Sequence, residues 1–249
     1  DAELLYNIIK GQDKMDSTTI SDDTYSKLRE FKKVIGVPKN FIDGGGMDES
    51  AKKNFYEAVE KFRSLGYEIK DIEVPNLKYS LAVYYILMPA EVSSNLARFD
   101  GVKYGLHIDG KDSVDDYFET RGVGFGKEVR RRIILGTYVL SSGYYDEYYG
   151  KANEARRMII KELRELFEKV DLMLTPTTPS PAWKIGEKSN NPLEMYLEDI
   201  FTVHANISGC PAISLPSGFS DKLPLGIELT ADLGRENNLF VAGKEFMGE

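Results

Sequence analysis

Cysteine is almost absent: Cys210 is the one thiol in 249 residues. That excludes a disulfide framework and a cysteine-based zinc cluster. Histidine is nearly as scarce, with only His107 and His204. A Ser-His-Asp hydrolase would have to use one of these two, and no G-x-S-x-G nucleophile elbow occurs. His107 sits in a polar loop and reads as a surface residue; His204 sits in an apolar stretch and reads as a hydrogen-bonded histidine near the core. Positive charge is in deficit, with 32 Lys and Arg against 40 Asp and Glu and a net charge of −8. This argues against a broad nucleic-acid-binding face, though it leaves room for a local basic patch. Long apolar runs are missing too: Leu81 to Ala90 is about half of the roughly 20 residues that a membrane-spanning helix needs. No secretory h-region opens the chain. The remaining composition, 42% hydrophobic and 29% charged, predicts a globular cytoplasmic enzyme, or part of one, with one domain or two.

What is present is organised around Gly122 to Pro181, and its centre is Glu128 to Thr137. Arg130, Arg131 and Arg132 are consecutive, so on a helix they turn about 100° apart and cannot share a face. Val129, Ile133 and Leu140 fall near one apolar stripe, and Arg131 and Arg132 flank different sides of it. Three solvated arginines satisfy this pattern. So does one guanidinium turned toward the interior, which then needs an anionic partner such as a ligand carboxylate.

Elsewhere, Asp1 to Ile9 is patterned like the middle of an amphipathic helix and does not start with Met, which predicts that the chain begins inside a larger protein. Tyr25 to Phe31 reads as a short helix or a linker, and Gly44-Gly45-Gly46 as a flexible turn. Lys33 to Val37, a helix from an Asp48 cap through Leu65, and Tyr67 to Val74 form a strand-helix-strand unit, which points to an α/β fold. Leu77 to Phe99 reads as a mostly buried helix with Pro89 as a break or kink. Asp112 to Thr120 is a short polar helix, Tyr144 to Val170 a long amphipathic one, and Met195 to Ser208 another. Leu172 to Thr175, Ala212 to Pro216 and Gly226 to Leu229 are strands, and Glu236 to Met247 is a closing helix. Gly122-Val123-Gly124-Phe125-Gly126-Lys127 fails the phosphate-loop spacing and follows no strand. The carboxylates show no acid/base spacing, so the residues alone contain no complete catalytic constellation.

Several blocks nevertheless carry a resemblance. They are Gly11-x-Asp13-x-x-Asp16-Ser17-Thr18; Tyr84-Tyr85 through Glu91-x-Ser93-Ser94-Asn95-Leu96-Ala97-Arg98-Phe99-Asp100-Gly101; Gly124-Phe125-Gly126-x-Glu128-Val129-x-Arg131-Arg132-Ile133; Ser141-Ser142-Gly143-Tyr144-Tyr145-Asp146; Thr175-Pro176-Thr177; and Asn206-x-x-Gly209-x-Pro211-Ala212-x-Ser214-x-Pro216. Together they resemble the C-terminal half of amidase-signature enzymes, and within them the A subunits of aspartyl/glutamyl-tRNA amidotransferases.

The resemblance implies an α/β amidase-signature fold, a mixed β-sheet covered by helices on both faces, with residues 1–249 as the C-terminal portion of a single domain. It implies glutamine hydrolysis through a lysine, a bridging serine and a serine nucleophile, all N-terminal to the region matched here. No Gly-Gly-Ser-Ser segment occurs, and Ser93, Ser94, Ser141 and Ser142 read as helical and do not match the catalytic motif, so the chain alone is expected to be inactive. Arg132 matches the family's substrate-carboxylate arginine, Asp199 the acid that takes the ammonium, and Tyr84 a pocket tyrosine, for which plain core packing is an alternative. The protein itself would need no metal or cofactor. The expected partners are a B subunit that uses ATP and magnesium to amidate Glu or Asp on tRNA, a C subunit, and glutamine as substrate, with tRNA met only through B. A free-standing amidase for a small amide and a catalytically inactive binding module stay open beside this reading.

Overall fold

Along the chain the two periodicities, 3.6 and 2, become helices and strands. The structure is a computed structural model, describing residues 1–25, 29–44, 46–187 and 192–248. These residues cluster into two compact units, 1–78 with 159–249 and 79–158.

The first helix, α1 (Ala2–Ile9), buries none of its residues, and Leu4, Leu5, Ile8 and Ile9 are 60–79% exposed. It is held to the C-terminal helix by the Tyr6–Phe240 ring contact at 5.4 Å and by a Glu3–Lys244 ion pair. Ser26 to Leu28 of the Tyr25–Phe31 stretch, and Gly45 of the glycine turn, lie outside the described residues. β1 (Val34–Val37) is buried throughout. After it comes a helix that the residues alone did not reveal, α2 (Lys39–Asp43), with Phe41 and Ile42 buried. Five residues are too few to show a period, and it is this burial that specifies the turn. Asp48 caps α3 (Glu49–Ser64) as expected, accepting from Ser50 N at 2.8 Å, and Phe55, Ala58, Val59 and Phe62 are buried. β2 (Glu68–Asp71) runs parallel to β1. Its charged, mostly exposed side chains suit an edge strand.

In the 79–158 unit, α4 (Ser80–Asn95) runs through Pro89 without a break. α5 (Ser113–Gly124) starts at Asp112, whose carboxylate accepts from Val114 N and Asp115 N at 3.0 Å, and extends a turn beyond the expected end. Phe125 and Gly126 separate it from α6 (Lys127–Val139), so the glycine-rich stretch joins two helices. The single helix expected over Tyr144–Val170 is instead a π-helical turn at Tyr145–Gly150 followed by α7 (Lys151–Phe167), whose residues from Ile159 onward belong to the other unit. Sequence period does not distinguish the wider winding, which appears as a short insert within longer helices.

In the other unit, β3 (Leu172–Pro176) is fully buried. The helix expected over Met195–Ser208 is broken into α8 (Pro192–Leu197) and α9 (Val203–Ser208). Between them the chain turns so that Phe201, fully buried, meets Phe41 edge-on at 5.4 Å. β4 (Ala212–Ser220) and β5 (Leu223–Ala231) form a hairpin whose two turn residues, Asp221 and Lys222, both have positive φ. That is the backbone twist a two-residue hairpin requires, and it carries both strands past their expected ends. α10 (Glu236–Met247) closes the chain.

The strands form one sheet in the order β2-β1-β3-β5-β4, with β1 parallel to β2 and β3, and β5 antiparallel to β3 and β4. Ile213 and Leu215 pair with Leu229 and Ile227 and face α10 at Gly243. α3 joins α10 on that side through the Phe62–Phe246 ring stack at 4.8 Å. Thr230 points the other way, where His204 of α9 meets it. The mixed sheet with helices on both faces is therefore as expected.

Candidate substrate-clamp site

α6 places Val129, Arg132, Ile133 and Gly136 at i, i+3, i+4 and i+7, so Arg132 lies within the stripe that packs on α4. Gly136 determines how closely the helices approach. A Cβ there would overlap the Pro89 carbonyl and lie 2.8 Å from Ser93 Cβ, so no side chain fits. One turn back along each helix, this contact brings Arg132 beside Tyr85 and Met88. The Arg132 guanidinium lies 5.8 Å from the Tyr85 ring centroid, and its Nη1 is 3.5 Å from Met88 Sδ. Arg132 Nε donates to Glu128 Oε1 at 2.9 Å, while Arg131 Nη1 donates to Glu128 Oε2 at 2.7 Å. The Arg132 side chain is 28% exposed and that of Arg131 45%. Two cations thus share one carboxylate, and the triad keeps a net positive charge.

The ring beneath this guanidinium belongs to Tyr85. Tyr84 packs edge-on against Tyr85, with centroids 5.2 Å apart and planes at 86°. The Arg132–Tyr85 contact is one that sequence reasoning did not anticipate: the chain offers Tyr84 and Tyr85 as adjacent rings, with no local signal to choose between them.

Asp199 lies in the other unit, in the turn between α8 and α9, and is half-buried. Its backbone oxygen accepts from Thr202 N at 3.1 Å and Val203 N at 3.2 Å, which shapes the entry to α9. The neighbouring Glu198 is more deeply buried and takes the Ser180 hydroxyl at 3.2 Å. Glu198 and Ser180 line two hollows of about 480 and 370 Å³; the larger also carries Trp183 and the Thr177–Ser214 hydroxyl pair, 2.9 Å apart. A wall of hydroxyls, one carboxylate and one indole can hold a small polar molecule.

Two of the serines outside the catalytic motif make local contacts: Ser93 Oγ donates to the Ala90 carbonyl at 2.9 Å and Ser141 Oγ to the Tyr138 carbonyl at 2.7 Å. Ser141 and Ser142 stand in the turn after α6, not on a helix as expected. His107 is exposed beside Asp109 at 3.1 Å. His204 is fully buried, with Nε2 2.8 Å from Thr230 Oγ1. Burial pushes its pKa down to about 4, and burial pushes Glu228, 3.8 Å away, up to about 8. Both are therefore neutral near pH 7, and His204 is the near-core histidine its context predicted.

Comparison with known proteins decides the family. The Amidase family profile matches residues 1–240. The chain belongs to the amidase family. It is 51% identical over 236 residues to the A subunit of glutamyl-tRNA(Gln) amidotransferase of Thermodesulfovibrio yellowstonii, covering 92% of this chain and 48% of that protein. The same-named protein of Caldanaerobacter subterraneus is 49% identical over 252 residues, with 97% and 51% covered. This amidase chain thus spans about half the length of the curated relatives it matches. Among solved structures, the glutamyl-tRNA(Gln) amidotransferase A subunit from Thermotoga maritima superposes with a TM-score of 0.70 at 35% identity, over 95% of this chain and 48% of that one. A bacterial aryl acylamidase of the amidase-signature family gives a TM-score of 0.73 at 16% identity, covers 98% of this chain and 50% of that one, and shares the fold alone.

Proposed function

We propose that this amidase chain is the glutamine-recognising half of an amidotransferase A subunit, which releases ammonia from glutamine for use by partner subunits. The observation that carries the reading is Arg132, a permanently charged fork held half-buried in the α4–α6 seam, where it shares the Glu128 carboxylate with Arg131. An α-amino acid presents a carboxylate, which a planar guanidinium can bind with two parallel hydrogen bonds. Asp199 would take the ammonium and Tyr84 would support the pocket wall. Residues outside this chain would supply the nucleophile and its base. A B subunit would use ATP and magnesium to amidate Glu or Asp carried on tRNA, a C subunit would complete the complex, and the acceptor would be chosen by B. The relatives' names support this assignment. The assembly would work in the cytoplasm.

The test pairs two assays on the protein that contains this chain together with its nucleophile, one fed glutamine and one ammonium chloride. Arg132→Ala removes the carboxylate's partner, a loss on the order of 2–5 kcal/mol in a desolvated charge pair. At about 1.4 kcal/mol per decade, glutamine kcat/KM falls at least roughly tenfold. Arg132→Lys keeps the charge but loses the fork, and Asp199→Asn removes the ammonium's counter-charge, so both also weaken glutamine use. Amidation from ammonium chloride survives in all three. Parallel loss of both activities would show that these residues serve folding or docking instead.

A further inference from the structure

We infer that Glu128 is the positioning residue of the clamp: its carboxylate holds the Arg132 guanidinium in the orientation that receives the substrate carboxylate. This rests on the glutamine-clamp reading of Arg132. Among the described residues, three contacts support the guanidinium. Glu128 Oε1 accepts from Nε at 2.9 Å, Met88 Sδ lies 3.5 Å from Nη1, and the Tyr85 ring lies beneath. Glu128 is the charged one of the three, and it is itself held from a second side, since its Oε2 accepts from Arg131 Nη1 at 2.7 Å. The carboxylate is thus pinned along the surface of α6, with Arg131 on the more exposed side and Arg132 on the seam. An arginine side chain has many rotamers to lose on binding, and fixing it beforehand removes that cost from the substrate's binding free energy.

Glu128 carries charge as well as shape, and the two act in opposite directions. Its negative charge lowers the local positive potential and so opposes binding of a carboxylate, while its hydrogen bond favours binding by fixing the fork. In a partly solvated site the charge term is screened. Loss of orientation forfeits the bidentate bond itself, so orientation dominates.

Two conservative variants separate these roles. Glu128→Gln keeps the length and an acceptor oxygen but loses the charge. Glu128→Asp keeps the charge but is one methylene too short to span the four-residue gap to Nε. Glutamine KM should stay within about threefold of the parent in Glu128→Gln and rise about tenfold in Glu128→Asp. In both, kcat and the ammonium-driven activity should hold within about twofold, and in an Arg132→Ala background Glu128→Asp should add nothing. Glu128 also lies in the first turn of α6, where an acid favours the helix. A purely helical role gives the reverse order, with Asp tolerated and Gln impaired, and that result overturns the proposal. A glutamine KM that falls in Glu128→Gln and is unchanged in Glu128→Asp marks a charge damper and overturns it too. Normal glutamine KM in Arg132→Ala itself removes the clamp reading and this proposal with it. Normal KM in Glu128→Asp beside a raised KM in Arg132→Ala removes this proposal alone.

Discussion

Two acid–base pairs in this chain meet opposite fates. Glu128 and Arg132 lie in the seam between α4 and α6 and stay charged; Glu228 on β5 and His204 on α9 lie buried between strand and helix and give up their charges. The basic side chains, Arg132 and His204, are 28% and 0% exposed. Arginine cannot shed its proton under any condition a protein meets, so it survives only where water or a full set of anionic partners remains. Histidine and glutamate can neutralise, and in a buried site with 3.8 Å between them that costs less than keeping two desolvated charges. A site meant to catch a substrate carboxylate needs the first arrangement. The second belongs to the packing of α9 on β5.

The comparison breaks most severely at Gly136. Gly136→Ala drives a methyl into the Pro89 carbonyl, so α4 and α6 must part and Arg132 must leave Tyr85 and Met88. Overpacking against backbone should cost about 3 kcal/mol. A chemical-denaturation series reads it, and a loss under about 1 kcal/mol would show that the seam yields easily.

The buried pair is tested by pH. Glu228 is raised from an ordinary 4.5 to about 8. Between those values the folded chain keeps a proton that the unfolded chain has released, so stability declines as pH rises through that window. His204 is lowered from 6.5 to about 4, and the unfolded chain binds the extra proton there, so stability declines as pH falls from 6.5. The two slopes oppose one another between 4.5 and 6.5 and leave a net decline from 6.5 to 8. Glu228→Gln should abolish that decline, gaining on the parent by up to about 1.4 kcal/mol per pH unit. Urea titrations at half-unit steps from pH 5 to 8.5 measure it. Curves that stay parallel for parent and variant would mean that Glu228 is ionised in the fold.

A smaller effect sharpens the first site. Tyr85→Leu removes the ring beneath the guanidinium, a cation–π contribution of about 0.5–1 kcal/mol, and should raise glutamine KM by roughly two- to fivefold. Tyr84→Leu should raise it less, because Tyr84 touches the clamp through Tyr85. Equal effects, or a larger one at Tyr84, would return the direct contact to Tyr84.

Much of this was legible in the residues. Asp48 and the Phe55–Phe62 stripe specify α3 within one stretch of chain, and the strand-helix-strand unit follows from local pattern because period and caps act over a few residues. The arginine stripe of α6 was legible in the same way, while the roles proposed for Arg132, Asp199 and Tyr84 came from resemblance, since spacing carries no information about a ligand. Other features depended on partners distant in sequence. Phe201 breaks a continuous helical pattern because Phe41, 160 positions earlier by number (201 − 41), offers it a ring to pack on. α2 exists because Phe41 and Ile42 are buried. Gly136 reads locally as a weak point in a helix, and only the Pro89 carbonyl facing it shows why no side chain is tolerated there. Selection of Tyr85 as the ring under Arg132, like the different charge states of the two acid–base pairs, was decided by tertiary packing. Helix and strand tendencies are properties of neighbours along the chain, whereas close approach, desolvation and pairing are properties of neighbours in space.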